Sequence, residues 1–253
     1  MMGKRIRILI LTALIGTLSV NAERPSAPAK LTAPEVVQKN AAARGGLDAW
    51  RAVKTMSMTG KLEGGGEQNI ELPFVLELKR PRKSRLELQF NGQTAVQVYD
   101  GVNGWKLRPF LNRNDVEPYT PEEMKAASAQ ADLDGPLMDY QAKGTKVELD
   151  GIQVVNGHDA YNLKLTLASG EVQHVWVDAQ TFLDVKVQGT PRRLDGKYHP
   201  VGIYLRDYRP ENGLMIAHEI ETVVEGAKRS EKIRVASVAV NPVLEDSRFA
   251  KPH

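Results

Sequence analysis

The side chains that most often carry catalysis or bind metals occur in this chain without a recognised spacing. No serine lies in a G-x-S-x-G segment, and the chain has no cysteine, which excludes serine-elbow hydrolases, thiolate metal sites and cysteine nucleophiles. No pair of histidines has the HxxxH or HExxH spacing of a zinc site. The histidines are His158, His174, His199, His218 and His253. We therefore expect a protein that is not an enzyme and that holds neither a metal nor a cofactor.

Apolar side chains at alternating positions indicate a different chemistry. A strand with an apolar residue at every second position has one apolar face. If that face lines a cavity, it can bind acyl chains, because each buried methylene contributes about 0.8 kcal/mol. If the face is tightly packed, it is ordinary core, and the sequence leaves both interpretations open. The cavity candidates are Met56, Met58, Leu72, Phe74, Leu76, Leu86, Leu88, Phe90, Val96 and Val98.

A basic run from Lys79 to Arg85 holds five positive charges in seven residues. Such a run is either a solvated hairpin end or a contact for anionic headgroups or an acidic partner. No aromatic residue alternates with these cations, so we do not expect nucleic acid as a partner. The candidates for a headgroup or partner contact are Arg80, Arg82, Lys83 and Arg85.

The N-terminus has the order of features typical of a signal peptide. Lys4, Arg5 and Arg7 precede an apolar run that is shorter than the roughly 20 residues of a membrane-spanning helix. We predict cleavage after Ala22, which leaves 31 basic and 31 acidic residues and a formal net charge of zero. The predicted location is the periplasm, and the chain has no cysteine that could carry a lipid anchor.

The remaining pattern predicts one mainly β domain over residues 32–253, after a flexible leader at residues 23–31. Thr32 and Glu35 form a capping box for an N-terminal helix, and a second helical segment begins at Thr120. Between and after these helices, alternating strands are separated by Asx-Gly turns. A meander of about eleven strands twists and curls into an incomplete antiparallel β-barrel of the α+β class. The candidates for a central helical lid are Leu133, Leu137, Met138 and Tyr140.

Several short segments of the predicted domain together resemble one family of exported proteins. They are residues 43–46, 56–60, 80–88, 99–105, 135–137, 161–163, 177–178, 181–183 and 207–209. This set is similar to the periplasmic outer-membrane lipoprotein-sorting proteins, the LolA/LolB-like carriers. The resemblance implies a half-open barrel with a helical lid, whose cavity holds lipoprotein acyl chains or phospholipid. It also implies an inner-membrane transporter and an outer-membrane receptor as partners.

Three functions remain open on this basis. The first is a soluble, monomeric periplasmic carrier that shields acyl chains during transport toward the outer membrane. The alternative is a lipid-sensing regulatory or interaction module of the same fold that signals to a membrane partner. The third is a scaffold whose barrel is filled by side chains and binds no ligand.

Overall fold

A computed structural model describes residues 30–64 and 70–252 of the chain. The predicted signal peptide and residues 23–29 of the predicted leader lie outside the described residues. The elements in chain order are α1 (Ala33–Ala43), α2 (Leu47–Ala52), β1 (Thr55–Glu63), β2 (Glu71–Lys79), β3 (Lys83–Phe90), β4 (Gln93–Tyr99), β5 (Gly104–Arg108), β6 (Arg113–Pro118), α3 (Pro121–Gln130), β7 (Lys146–Val155), β8 (His158–Thr166), β9 (Val172–Asp178), β10 (Asp184–Leu194), β11 (Lys197–Glu211), β12 (Leu214–Val224) and β13 (Glu231–Val240), with two 3-10 helices at Pro109–Leu111 and Asp246–Phe249.

The strands form one antiparallel sheet of 13 strands in the order β6-β5-β4-β3-β2-β1-β13-β12-β11-β10-β9-β8-β7. Because β1 pairs with β13, the two halves of the chain join at the centre, and β6 and β7 are left as the two edges. The unclosed sheet confirms the predicted incomplete barrel. The predicted number of strands was too low, partly because β6 has the sequence RNDVEP and shows no apolar alternation.

The two longer helices begin where the sequence predicts. The backbone N–H of Thr32 donates to Glu35 Oε2 at 2.7 Å, and that of Thr120 donates to Glu123 Oε2 at 2.8 Å. After α1 the chain turns at Gly45 with φ 110°, where a Cβ would lie 2.3 Å from the carbonyl oxygen of Gly213. A glycine is therefore required for the contact with the β11–β12 turn. None of the helices in the described ranges is long and apolar enough to cross a membrane.

The segment after α3, residues 132–144, differs from the prediction. The sequence predicts that the lid through Leu133, Leu137, Met138 and Tyr140 is helical, and this part of the prediction is wrong, because the segment consists of turns and bends. Asp139 has φ 51° and Gly135 has φ 78°, and both values belong to the left-handed region that interrupts a right-handed helix. We call residues 132–144 the lid segment.

The helices and the lid segment pack against one face of the sheet, which we call the inner face. Two buried clusters hold α1, α2 and the lid segment there, and α3 packs through a third cluster of Tyr99, Ala127 and Ala131. The α1 cluster is Ala33, Val36, Val37, Leu137, Tyr161, Leu163, Leu165, Val175 and Val177. The α2 cluster is Trp50, Val53, Met56, Leu78, Leu133, Met138, Leu214 and Ile216. The lid segment contributes to both clusters and so spans the two halves.

The C-terminal 3-10 helix packs on the opposite, outer face. Phe249 is 1% exposed and lies in one buried cluster with Val96 and Val98. In the β3–β4 register, Val96 is opposite Glu87 and Val98 is opposite Arg85. Residues paired directly across an antiparallel ladder share a face, so these valines do not share the face of the other cavity candidates. The prediction that Val96 and Val98 line the interior is therefore wrong.

Candidate functional site

The four predicted lid residues all lie against the inner face. Leu133 and Met138 pack into the α2 cluster, beside Met56 and Leu78. Leu137 packs into the α1 cluster, and Tyr140 is partly buried against it. The lid candidates are thus brought together on the predicted side of the sheet, although they lie in turns rather than in a helix.

The cavity candidates nearest the helices are packed core. Met56 is 1% exposed in the α2 cluster, and Met58 and Leu76 are partly buried against the same cluster. Phe74 is 4% exposed, and its ring fills the space above Gly60, where a Cβ would lie 2.9 Å from the ring. In this arrangement side chains fill this end of the interior.

The inner face is different beyond the helices. Leu86, Leu88 and Phe90 are only partly buried there and belong to none of the core clusters. A row of partly buried apolar residues crosses five strands, from β2 to β11, in directly paired positions. This apolar row is Leu72, Leu62, Ile233, Ile220 and Leu205. Sequence reasoning found only Leu72, because the pairing of β1 with β13 brings the others beside it.

A groove with a volume of about 400 Å³ runs between α1, the start of α2 and the lid segment. Its apolar lining includes Val37, Ala41, Leu47, Leu137 and Met138. The volume lies toward the lower end of the range of about 300–1,000 Å³ typical of small-molecule sites. Its polar lining is Gln38, Arg51, Asp139, Tyr140 and Gln141, with the remaining contacts from small residues of α1 and the α1–α2 turn. The groove is therefore lined by both apolar and polar side chains.

One side of the groove is held firmly on the sheet. Asn40 of α1 donates to Asp184 Oδ1 at 3.0 Å and to the carbonyl oxygen of Phe182 at 2.8 Å. Arg44 Nη1 lies 3.3 Å from Asp184 Oδ2, and both side chains are about nine-tenths buried. Burial raises the pKa of Asp184 and outweighs the opposing effects of Arg44 and Asn40. The α1 wall is therefore anchored to β10 by a buried polar cluster.

The lid wall is held by ion pairs in addition to the buried side chains of Leu133, Leu137 and Met138. Arg80 Nη2 donates to Asp134 Oδ2 at 2.7 Å, and Lys143 Nζ donates to Asp134 Oδ1 at 2.8 Å. At the groove, Arg51 Nη2 and Nε donate to the two carboxylate oxygens of Asp139 at 2.5 and 2.8 Å. These contacts join the lid segment to the end of β2 and to α2.

The predicted headgroup contacts are mostly engaged within the protein. Arg80 donates to Asp134 and to the carbonyl oxygens of Val53 and Trp50. Lys83 contacts Asp246 at 3.0 Å, and Arg85 contacts Glu87 at 2.7 Å. Arg82 is exposed, and its hydrogen bond in the structure is a 3.4 Å contact with the hydroxyl of Ser128. The basic run therefore makes mainly intramolecular contacts, with the lid segment and on the outer face, and leaves few cations free for a headgroup.

Asp134 makes the stability of the lid dependent on pH. Burial raises the pKa of Asp134, but hydrogen bonds from Lys143, Asp132 and Arg80 outweigh it and lower the pKa from 3.8 to about 2. Burial raises the pKa of the neighbouring Asp132. A carboxyl group with a lowered pKa stabilises the folded state fully above its unfolded value, and this stabilisation is lost as the pH falls through the folded value.

We expect Asp134→Asn to reduce the free energy of unfolding at pH 6, and the difference from wild type to shrink by about 2 kcal/mol between pH 5 and pH 2. Urea unfolding at each pH measures it. Asp48→Asn is the matched control, because the side chain of Asp48 is 99% exposed. A difference between wild type and Asp134→Asn that does not change with pH would contradict the ion-pair role of Asp134.

Comparisons with solved structures support this fold. No protein-family model matches the chain, and no curated protein matches it by sequence. Among solved structures, it is similar to a LolA superfamily protein from Nitrosomonas europaea, with 13% identity, a TM-score of 0.57, and coverage of 87% of this chain and 98% of that one. A DUF1329 family protein from Desulfovibrio piger matches with 15% identity and a TM-score of 0.58, over 86% of this chain and 97% of that one.

A third similar structure is a proposed outer-membrane lipoprotein-sorting domain from Vibrio parahaemolyticus. It is 15% identical, has a TM-score of 0.56, and the match covers 86% of this chain and 95% of that one. At these identities the likeness is one of fold. The chain has a LolA-like fold, as the resemblance of its sequence segments predicts.

Proposed function

We propose that this protein is a soluble periplasmic carrier that shields acyl chains between α1 and the lid segment and moves a lipid or lipoprotein toward the outer membrane. The observation that carries the proposal is the apolar groove of about 400 Å³ between α1 and the lid segment. A LolA superfamily protein and a proposed lipoprotein-sorting domain share the fold, which supports the same class of function here.

The groove suits an acyl chain better than a polar ligand. An acyl chain offers no hydrogen bonds, so its affinity depends on apolar area, at about 25 cal/mol per Å² removed from water. The partly buried side chains of Ala41 and Leu47 provide such area, whereas the lining residues Val37, Leu137 and Met138 are packed into the core. The apolar row, which lies on the inner face beyond the helices, is further apolar surface outside the groove.

The two walls are held by different contacts. The α1 wall is tied to β10 by the buried Asn40, Arg44 and Asp184 cluster. The lid wall is held by the buried side chains of Leu137 and Met138 and by the ion pairs of Asp134. At its rim the partly exposed pair of Arg51 and Asp139 adds little, because exposed ion pairs contribute only about 0–1 kcal/mol.

Native mass spectrometry with lipid extraction tests the proposal on mature protein purified from its own periplasm without detergent. We expect co-purifying acyl species. A clean mass of the protein alone, together with no uptake of a fluorescent fatty-acyl probe, would mean that the interior is packed core and that the protein is not a carrier.

We expect Gln38→Trp to weaken binding of a fluorescent fatty-acyl probe at least about tenfold, or about 1.4 kcal/mol. Gln38 is an exposed residue of α1 that lines the groove, so the indole fills the groove without disturbing the core. Gln130→Trp is the matched control, because Gln130 is exposed at the end of α3 and does not line the groove. Equal probe affinities of the two variants would mean that the acyl chain does not bind in the groove.

A further inference from the structure

The rim of the groove contains an arginine whose guanidinium already holds an anion from the protein itself. Arg51 and Asp139 both line the groove. Two nitrogens of Arg51, Nε and Nη2, each donate to a different oxygen of Asp139, at 2.8 and 2.5 Å. This two-bond geometry is the one by which arginine binds carboxylates and phosphates in general.

The pair is accessible from solvent. The side chain of Arg51 is 52% exposed and that of Asp139 is 23% exposed. The second carboxylate near Arg51 is that of Asp48, at 3.5 Å, and its side chain is 99% exposed. Asp139 is therefore the main partner of Arg51, and an anion that arrives from solvent can reach the same guanidinium.

Asp139 reaches Arg51 from a turn of the lid segment. Asp139 has φ 51°, in the left-handed region that aspartate and asparagine tolerate better than most residues. Exchange of Asp139 for another anion at Arg51 would remove this rim contact, while Leu133 and Met138 would still hold the lid segment in the α2 cluster.

We propose that Arg51 binds the headgroup of the ligand and that Asp139 occupies this position as an internal substitute when the groove is empty. The ligand is an amphiphile with a single acyl chain and an anionic head of two or more oxygens, either a carboxylate or a phosphate. This inference rests on the proposed function and specifies its substrate class. The acyl chain of the ligand lies along Ala41 and Leu47, and the head of the ligand reaches Arg51 at the rim. The volume of the groove favours one chain over several.

The test compares three ligands that share one chain, namely dodecanoate, dodecyl phosphate and dodecan-1-ol, by isothermal titration against the full chain. We expect Arg51→Gln to weaken both anions about tenfold and to leave dodecan-1-ol unchanged, because only the anions use the guanidinium. We expect Asp139→Asn to strengthen both anions several-fold, because the internal competitor loses its charge while asparagine still accepts the left-handed backbone. The ratio of the two anion affinities identifies the head: tighter binding of dodecanoate indicates a carboxylate, and tighter binding of dodecyl phosphate indicates a phosphate.

The two partners of one ion pair should thus change anion affinity in opposite directions, which a purely structural pair would not do. If both variants weaken the anions, the pair is a lid contact and the headgroup proposal is wrong. If wild type binds all three ligands equally and Arg51→Gln changes none, Arg51 does not bind the head, although lipid binding stands. If none of the three binds wild type, the proposed function fails as well.

Discussion

Replacing Arg80 with alanine is expected to lower the free energy of unfolding by about 1–3 kcal/mol, because it removes one of the two cations that contact the buried Asp134 carboxylate and leaves two carbonyl groups without their donor. Arg80 donates to Asp134, whose side chain is 3% exposed, and to the carbonyl oxygens of Val53 and Trp50. In the variant, Lys143 remains as the cationic partner of Asp134, and the two carbonyl groups lose their donor. Urea denaturation of wild type and variant at pH 7 measures the difference.

The matched control is Arg82→Ala, two residues along the same basic run. Arg82 is exposed, and its hydrogen bond in the structure is a 3.4 Å contact with Ser128, so the expected change is within about 0.5 kcal/mol. Similar effects of the two substitutions would mean that Arg80 is a solvated surface cation rather than the residue that holds the lid segment.

Replacing Phe249 with alanine is expected to cost about 3–5 kcal/mol, the usual range for removal of a fully buried phenylalanine. Phe249 is 1% exposed and fills the outer-face cluster with Val96 and Val98. The adjacent Arg248 donates to Glu77 at 2.9 Å, so the C-terminal segment is held by both apolar and ionic contacts. Thermal and urea unfolding would both show the loss.

Acyl-probe affinity separates this effect from an effect on the groove. Because Phe249 lies on the outer face, the folded variant should bind the probe as wild type does. Val243→Ala is the control for the C-terminal segment, since Val243 is 89% exposed and should change stability by less than about 0.5 kcal/mol. Weakened probe binding by a folded Phe249→Ala protein would mean that the outer-face cluster also contributes to acyl-chain binding.

Local features of the fold could be read from the sequence. The capping boxes at Thr32 and Thr120 place the starts of α1 and α3, because these hydrogen bonds join residues three positions apart. The alternation from Leu72 to Leu78 places one face of β2, because side chains of a strand point to opposite faces in turn. The lid candidates could also be identified, because apolar residues in the segment between α3 and β7 need an apolar surface to pack against.

Long-range strand pairing decided which face of the sheet each residue belongs to. Val96 and Val98 alternate as well as Leu86 and Leu88 do, but only the β3–β4 register and the covering Phe249 show that they belong to the outer face. Both faces of this part of the sheet are covered, so alternation alone cannot distinguish the inner from the outer side.

The charged residues likewise show what the sequence predicts and what only the structure reveals. The sequence shows how many cations the basic run holds. Only the structure shows that Arg80 pairs with Asp134, 54 positions away, and that Arg51 pairs with Asp139, 88 positions away. The sequence by itself determined the helix starts, the strand periodicity, the basic run and the resemblance to lipoprotein carriers, because each depends on neighbouring residues. The tertiary structure alone decided which face is interior, which cations hold the lid segment and where the groove lies, because each depends on contacts between residues that only the folded sheet brings together.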